Sequence, residues 1–359
     1  MRWRGVSYDV GRVMGMNWRP DYDPAIARRE LSIIRDDLHC NAIRICGLDL
    51  GRLMRTTEDA LDLGLEVWLS PERWNRPPER TREYVVDVAA AAERLRERWP
   101  DRLVLCVGSE LTLFMQGILP GRSFMKRLRG PSMGEAILAG RHNPPLNAFL
   151  STVTTEVRRV FHGPLTYASL IWEAVDWGLF DLVGVDHYRD ARIEDRYVEM
   201  LRPHLETGKP VVITEFGFPA CQRSPDAGAI GAGWVDSVDH RTQFFHQVPL
   251  LGRLVHPRLT RLVTRDERLQ AELLTETLGI LDGAGVDGAF VFTFVNPLNP
   301  FDDDPRHDLD RVSPSLVKTY ERRHGTTYPD MTWEPKEAFR AVAAFYAGQS
   351  NAVDQDSKG

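Results

Sequence analysis

The stretch LVLCVGSELT, residues 103–112, runs through Leu, Val, Leu, Cys and Val and then stops on a carboxylate, Glu110. A strand buried on both faces, as in a parallel sheet, reads as a continuous apolar run rather than as an alternation. The pattern recurs in PVVITEFGFP (210–219), where the apolar run is closed by Glu215. Working outward from these two, six further runs of the same kind stand along the chain: GVSYDV (5–10), NAIRIC (41–46), LEVWLS (65–70), PLTYASL (164–170), DLVGVDHY (181–188) and DGAFVFTFVNP (287–297).

Helix-like segments separate them. Residues 23–38 open on Asp23-Pro24, a good N-cap and first-turn pair. TTEDALDLG closes on Gly64, residues 77–99 start on proline, and 146–161, 193–208, 265–285 and 334–348 follow. Between the fifth and sixth strands only the short EAVDWGLF intervenes. Strands alternating with helices make parallel βαβ units. Eight of them fit a closed (β/α)8 TIM barrel better than an open sheet, and no GxGxxG follows any strand. The expectation is one domain over residues 1–348, with long loops after strands four and seven, and a polar tail at 349–359 that frays.

The bulk numbers suit this. The chain has 359 residues, 43% of them hydrophobic and 27% charged, the composition of a globular protein with a large core. A net charge of −6 favours neither nucleic acid nor an anionic membrane as partner. The first residues lack the apolar stretch of a signal peptide, and no run is long enough to span a bilayer. Cys40, Cys46, Cys106 and Cys221 lack CxxC spacing and read as reduced, mostly buried thiols in a cytoplasmic protein.

In such a barrel, chemistry collects at the C-terminal ends of the strands. Those ends supply Asp9, Arg44, Glu72 and Trp74, Ser109 and Glu110, Trp172 and Glu173, then Asp186, His187 and Tyr188, then Glu215, and finally Phe294 and Asn296. Two carboxylates on strands four and seven face each other across the mouth. A pair about 5 Å apart suits a retaining glycosidase, one group as acid/base and the other as nucleophile. Arg44 and Tyr188 are expected at Glu215, where a cation and a phenol favour the charged form. Glu110, beside Leu111, Leu113 and Phe114, is expected to hold its proton more tightly.

These residues carry a resemblance. NAIRI, VGSELT, VDHY and VITEFG resemble the corresponding motifs of clan A glycoside hydrolases, (β/α)8 retaining enzymes. The resemblance implies Glu110 as acid/base, Glu215 as nucleophile, and Arg44 and Tyr188 as supports of Glu215. The two-glutamate mechanism requires no cofactor, and the expected cytoplasmic location favours a small-molecule carbohydrate or glycosylated metabolite as substrate. Where the clan usually has Asn before the acid/base, in contact with the sugar 2-hydroxyl, this chain has Ser109; the Trp that often floors the clan's sugar site is also absent from strand eight, where Phe292 and Phe294 stand. Over residues 4–320 the chain also resembles an uncharacterised actinobacterial group labelled "abortive infection protein", through RRELSIIRDDLHCNAIRI, GLEVWLSPE, GSELTLFMQGILPG, YASLIWEAVDWGLFD and DGAFVFTFVNP.

The expected substrate-binding set is therefore Asp9, Arg44, Trp74, Ser109, Trp172, Glu173, Asp186, His187 and Tyr188. Trp74 and Trp172 serve equally well as sugar platforms or as barrel packing. Trp234 is a lid candidate. The long segment 115–145 is basic through Arg122, Lys126, Arg127 and Arg129, and reads as a solvated loop or as an anion-attracting one. The acidic FDDDPRHDLD (301–310) reads as a solvated loop, and no metal is expected, since HExxH is absent. Ser109 keeps two rivals open: a non-hydrolytic barrel that binds a sugar or metabolite as a sensor or defence component, and a biosynthetic acid/base enzyme.

Overall fold

The computed structural model describes residues 1–11, 19, 22–130, 133–226, 237–248, 252 and 254–356, with side chains through Gln349. Eight parallel strands close into a barrel in sequence order: β1 Trp3–Asp9, β2 Ala42–Gly47, β3 Glu66–Pro71, β4 Leu103–Ser109, β5 Leu165–Leu170, β6 Val183–Asp186, β7 Val211–Phe216 and β8 Gly288–Val291. Ring closure is made by β1 against β8, with Trp3 opposite Gly288 and Val6 opposite Val291. The TIM barrel expected from the alternation is what forms. Among the described residues, no helix is long and apolar enough to cross a membrane.

The outer helices form as the apolar spacing requires. Pro24–Asp36 is capped by Asp23, whose side chain accepts from the Ala25 amide, and it buries Ala27, Leu31, Ile33 and Ile34. Helix Leu50–Asp62 starts earlier than the sequence suggested, because the Asp49 side chain caps it by accepting from the Arg52 amide. The helix expected at 193–208 is instead two 3-10 turns, Glu194–Arg196 and Glu199–Leu201, and a short α-helix, Arg202–Leu205. Pro203 lies in that segment, and a proline cannot donate to a continuous ladder. A small hairpin, β9 Val317–Thr319 with β10 Trp333–Pro335, was not anticipated. The last helix spans Glu337–Asp356, so its range covers part of the stretch expected to fray.

Inside the barrel the side chains change character from floor to rim. At the N-terminal floor Trp3, Ala42, Trp68, Val104, Leu182, Val212 and Phe290 form a closed apolar cluster. Trp3 meets Trp68 edge-on at 5.5 Å between centroids, and Trp68 meets Phe290 at 5.3 Å. Gly5 makes room for this layer, since a Cβ there would lie 2.3 Å from the Phe290 ring. Towards the C-terminal end the inward positions turn polar. Three strands have register shifts near that end: β4 between Cys106 and Ser109, β6 at Val185/Asp186, and β7 between Ile213 and Phe216. Bulges of this kind re-aim side chains, and they fall on the strands that carry Ser109, Asp186 and Glu215.

Candidate active site at the barrel mouth

Strand β4 delivers Ser109 and then turns sharply. Glu110 sits in the left-handed region at φ 45°, ψ 41°, a conformation a non-glycine residue holds only where its surroundings over-determine it. Those surroundings can be named. The Glu110 amide donates to the Ala168 carbonyl at 2.9 Å. The next amides, of Leu111 and Thr112, donate to the Tyr167 hydroxyl (2.8 Å) and to Glu173 Oε1 (3.2 Å). Glu173 Oε2 in turn accepts from Tyr167 and from the Leu170 amide, each at 2.9 Å. Glu173 was expected to bind substrate; it is instead a buried strut that fixes the turn presenting Glu110. Burial raises its carboxyl to about 7 against the pull of these donors.

Glu215 is held from two sides. Arg44 Nη1 donates to Oε1 at 2.5 Å, and the Tyr188 hydroxyl donates to Oε2 at 2.8 Å. Arg44 is wholly buried and also donates through Nη2 to Ser70 Oγ at 3.0 Å, with Glu72 Oε1 3.7 Å away. Both partners of Glu215 were expected at this place. Ser70 was not, although it stands two residues before Glu72 and so on the same inward face.

Asp186 joins the two strands. Its Oδ1 accepts from Thr214 at 2.6 Å and its Oδ2 from Ser109 at 3.3 Å. One oxygen each from Glu110, Asp186 and Glu215 lies within 4.8 Å of the other two, a spacing that would also admit a divalent cation. Burial beside other carboxylates raises two of the three, Glu110 and Asp186. Burial, and then the charges of Asp186, Glu215, Glu173 and Glu72, lift Glu110 well above the usual carboxylate range. Burial and the charge of Glu215 do the same for Asp186. Glu72 is pushed by burial to about 8, against the pull of Arg44, and Asp9 by burial to about 6. Among the described residues, no side chain or amide hydrogen-bonds the Glu110 carboxyl, which is 5% exposed.

The aromatic candidates divide. Trp74 is half-buried and stacked on Phe114 at 3.5 Å, with its Nε1 donating to Glu72 at 3.1 Å. Trp172 is half-buried with its ring edge-on to His142. Both pack against an apolar cluster of Leu113, Phe114, Leu119, Phe124, Ala136 and Leu170, so much of their surface goes to packing. Phe294 turns outward onto Tyr8, Trp333 and Phe339, whereas Phe292, two residues earlier and just past the end of β8, is only half-buried. The Phe292–Thr293 peptide is cis.

His187 does not face the mouth. It is fully buried, stacked on Tyr197 at 4.0 Å, with Nε2 2.9 Å from the Tyr197 carbonyl. Burial lowers it to about 4, so it stays neutral and acts as packing. Arg127, counted with the basic loop, is likewise buried, donating to the carbonyls of Leu113, Phe114 and Gly121 and to Asn75 Oδ1. It staples the 115–145 segment to the rim and is lowered by burial to about 10. The acidic segment 301–310 splits too. Asp302–Asp304 are exposed, but Asp308 and Asp310 are buried against Arg265, with Lys336 2.8 Å from Asp310. Trp234 lies outside the described residues. All four cysteines are buried and unpaired.

Solved structures share this architecture. A GH113 β-1,4-mannanase aligns over 97% of this chain and 99% of its own, at 14% identity and a TM-score of 0.61. The GH113 β-mannanase AaManA from Alicyclobacillus acidocaldarius, in complex with ManMIm, aligns over 96% and 97% at 16% identity and a TM-score of 0.55. A β-glucuronidase from Parabacteroides merdae aligns over 96% of this chain but 36% of its own, at 13% identity and 0.57. At such identities the likeness establishes the fold alone: the chain shares the (β/α)8 barrel of these structures. No protein-family model matches the chain, and no curated protein does.

Proposed function

We propose that this protein cleaves or transfers a glycosidic or similar acetal bond by a two-glutamate retaining mechanism. The observation that carries the reading is the placement of Glu110 and Glu215 oxygens within 4.8 Å of one another, in unlike surroundings. Retaining enzymes keep their carboxyl groups about 5–5.5 Å apart, whereas inverting ones leave about 6.5–9.5 Å for a water. Glu215, oriented by Arg44 and Tyr188, attacks the anomeric carbon. Glu110, whose burial among carboxylates favours the neutral acid, donates its proton to the leaving oxygen. The covalent glycosyl ester at Glu215 is then released as Glu110, now a carboxylate, takes a proton from water or from an acceptor hydroxyl. The four buried, unpaired thiols favour a reducing compartment, and with it a small glycoside or glycosylated metabolite rather than an external polysaccharide.

Ser109 supports a second reading. Its hydroxyl is committed to Asp186, so it offers no amide to a sugar 2-hydroxyl. A barrel that binds a sugar, or that uses the same glutamates as acid and base in a cyclisation or isomerisation, would tolerate this.

A panel of aryl glycosides assayed with wild type, Glu110→Ala and Glu215→Ala separates them. Azide rescue of either variant, with inverted or retained products as expected for each position, supports the retaining mechanism. A silent panel together with no trapping by a 2-fluoro sugar sinks it.

A further inference from the structure

The two glutamates of the mouth are positioned by different means. Glu215 is held by its own carboxylate, through Arg44 on Oε1 and Tyr188 on Oε2. Glu110 has no such hold. Among the described residues nothing hydrogen-bonds its carboxyl, so that group stands where the backbone puts it. The backbone there is left-handed, a conformation that a residue with a Cβ keeps only while its neighbours enforce it. The place of the proton that Glu110 delivers therefore depends on what grips the peptides around it.

The grips come from one strand. The Glu110 amide donates to the Ala168 carbonyl on β5. The next two amides, of Leu111 and Thr112, end on side chains of β5 and the turn after it, the Tyr167 hydroxyl and Glu173 Oε1. Tyr167 and the Leu170 amide both donate to Glu173 Oε2, so this carboxylate ties the two grips to each other and to the end of β5. The Glu110 carbonyl accepts from the Leu113 and Phe114 amides, which carries the hold into the short helix Leu111–Phe114. Of these supports, only Tyr167 and Glu173 act through side chains. Glu173 is 3% exposed and Tyr167 wholly buried, so both work through the turn rather than on a ligand. They share no hydrogen-bond partner with the Glu215 carboxylate, whose supports come from β2 and the turn after β6.

We propose that Glu173, with Tyr167, is a positioning residue for Glu110: it sets where the acid/base presents its proton and leaves the attack of Glu215 untouched. This rests on the retaining reading above and gives its two glutamates separate supports. When the glycosidic C–O bond breaks, the leaving oxygen takes the bonding pair and the Glu110 proton. A weakly acidic leaving group needs that proton as the bond breaks, and a strongly acidic one departs as its anion without it. Loosening the Glu110 turn should harm reaction of the first and spare the second, whereas a general loss of folded enzyme harms both equally. An amide at position 173 is the matched change. Its oxygen can take the place of Oε2 beneath two donors, which leaves its NH2 against the Thr112 amide, donor facing donor. Burial already raises the Glu173 carboxyl to about 7, so the site accommodates a neutral group.

The test uses dinitrophenyl, p-nitrophenyl and unsubstituted phenyl β-glucosides and β-mannosides. It reads kcat/KM, which reports this first step and not the later release in which Glu110 acts as base. Glu173→Gln is expected to lower kcat/KM about 10- to 100-fold on the phenyl glycosides, the scale of a misplaced catalytic group, and less than about threefold on the dinitrophenyl ones. Tyr167→Phe is expected to show the same dependence on leaving group with a smaller loss, and it decides the matter if Glu173→Gln does not fold. In a Glu110→Gln background, adding Glu173→Gln is expected to cost no further activity on the p-nitrophenyl glycosides, because nothing is left to position. Equal losses on all the leaving groups, or full additivity with Glu110→Gln, overturn the inference; the retaining mechanism then stands on the leaving-group dependence of Glu110→Gln itself. If wild type turns over none of these glycosides, the retaining reading falls and the inference with it.

Discussion

At the floor of the barrel, β1, β3 and β8 bring Trp3, Trp68 and Phe290 together ring to ring; at the rim, β1 ends on Asp9, with Glu72 just beyond β3 and Phe292 just beyond β8. Strand β2 passes from Ala42 to Arg44 within two residues and β7 from Val212 to Glu215 within three. One end excludes water with apolar area, and the other gathers buried carboxylates that repel one another. The rim could not hold such a cluster, or a left-handed Glu110, if it also had to hold the barrel closed. That work falls to the floor and to the outer helices, which leaves the rim free to be destabilised where chemistry benefits. The comparison predicts that changes at the two ends will separate activity from stability.

The largest expected effect is at Glu110. Glu110→Gln should lower kcat on substrates with poor leaving groups by about 10²–10⁴-fold, the usual contribution of a positioned acid. Its melting temperature should stay level or rise, because an unpartnered buried carboxyl is removed from beside Asp186 and Glu215. A large loss of stability with activity retained would reverse the assignment of roles to the two ends. Next comes the floor. Trp68→Ala should destabilise the fold by about 3–5 kcal/mol, read by denaturant titration, since its buried ring meets both Trp3 and Phe290. The pH–rate profile of the fraction that remains folded should keep its wild-type shape; a shifted profile would mean that floor and rim are not independent.

Much of this was legible in the sequence, for reasons that also explain what was not. Continuous apolar runs and their number determine a closed parallel barrel, and a barrel delivers each strand's last residue to one rim. Arg44, Tyr188 and Glu215 are thus placed together by the sequence alone. Residues just past a strand end were harder. His187 and Glu173 are adjacent to inward positions, but the local turn rotates His187 onto Tyr197 and folds Glu173 back beneath the Glu110 turn. Arg127 looked like one of four solvated charges, and only the carbonyls left open by the rim turn explain why it is buried. Bulges and turns are decided by partners distant in sequence, which periodicity cannot report. Thr214 and Ser70 carried a faint signal, as small polar residues within otherwise apolar strands.

A smaller effect tests how the rim orients its nucleophile. Tyr188→Phe removes the hydrogen bond to Glu215 Oε2 and leaves Arg44 in place on Oε1. About tenfold in kcat is expected, the equivalent of one such bond, with KM nearly unchanged. An unchanged kcat would assign orientation of Glu215 to Arg44 alone.

The smallest effect concerns Glu72, where two influences oppose each other. Arg44 Nη2 stands 3.7 Å from its Oε1, which favours the carboxylate, while burial favours the neutral acid and prevails, raising the group from 4.5 to about 8. The folded protein therefore keeps a proton that the unfolded chain releases near pH 4.5. Between about pH 5 and 8 the folded state binds more protons than the unfolded one, so stability falls as pH rises and levels off above pH 8. Glu173, near 7, and Asp9, near 6, act with the same sign over the lower part of that window. Glu72→Gln removes the contributor that reaches furthest. Wild type and variant should melt close together at pH 5, and the variant should lose less by pH 8. A differential of about 1 kcal/mol corresponds to about 2 °C in a chain of this size, within reach of differential scanning calorimetry. If the variant's melting temperature falls as steeply as that of wild type, Glu72 is ionised in the folded protein. The rim then holds a second full ion pair with Arg44, and its contrast with the floor is weaker than the burial of these carboxylates implies.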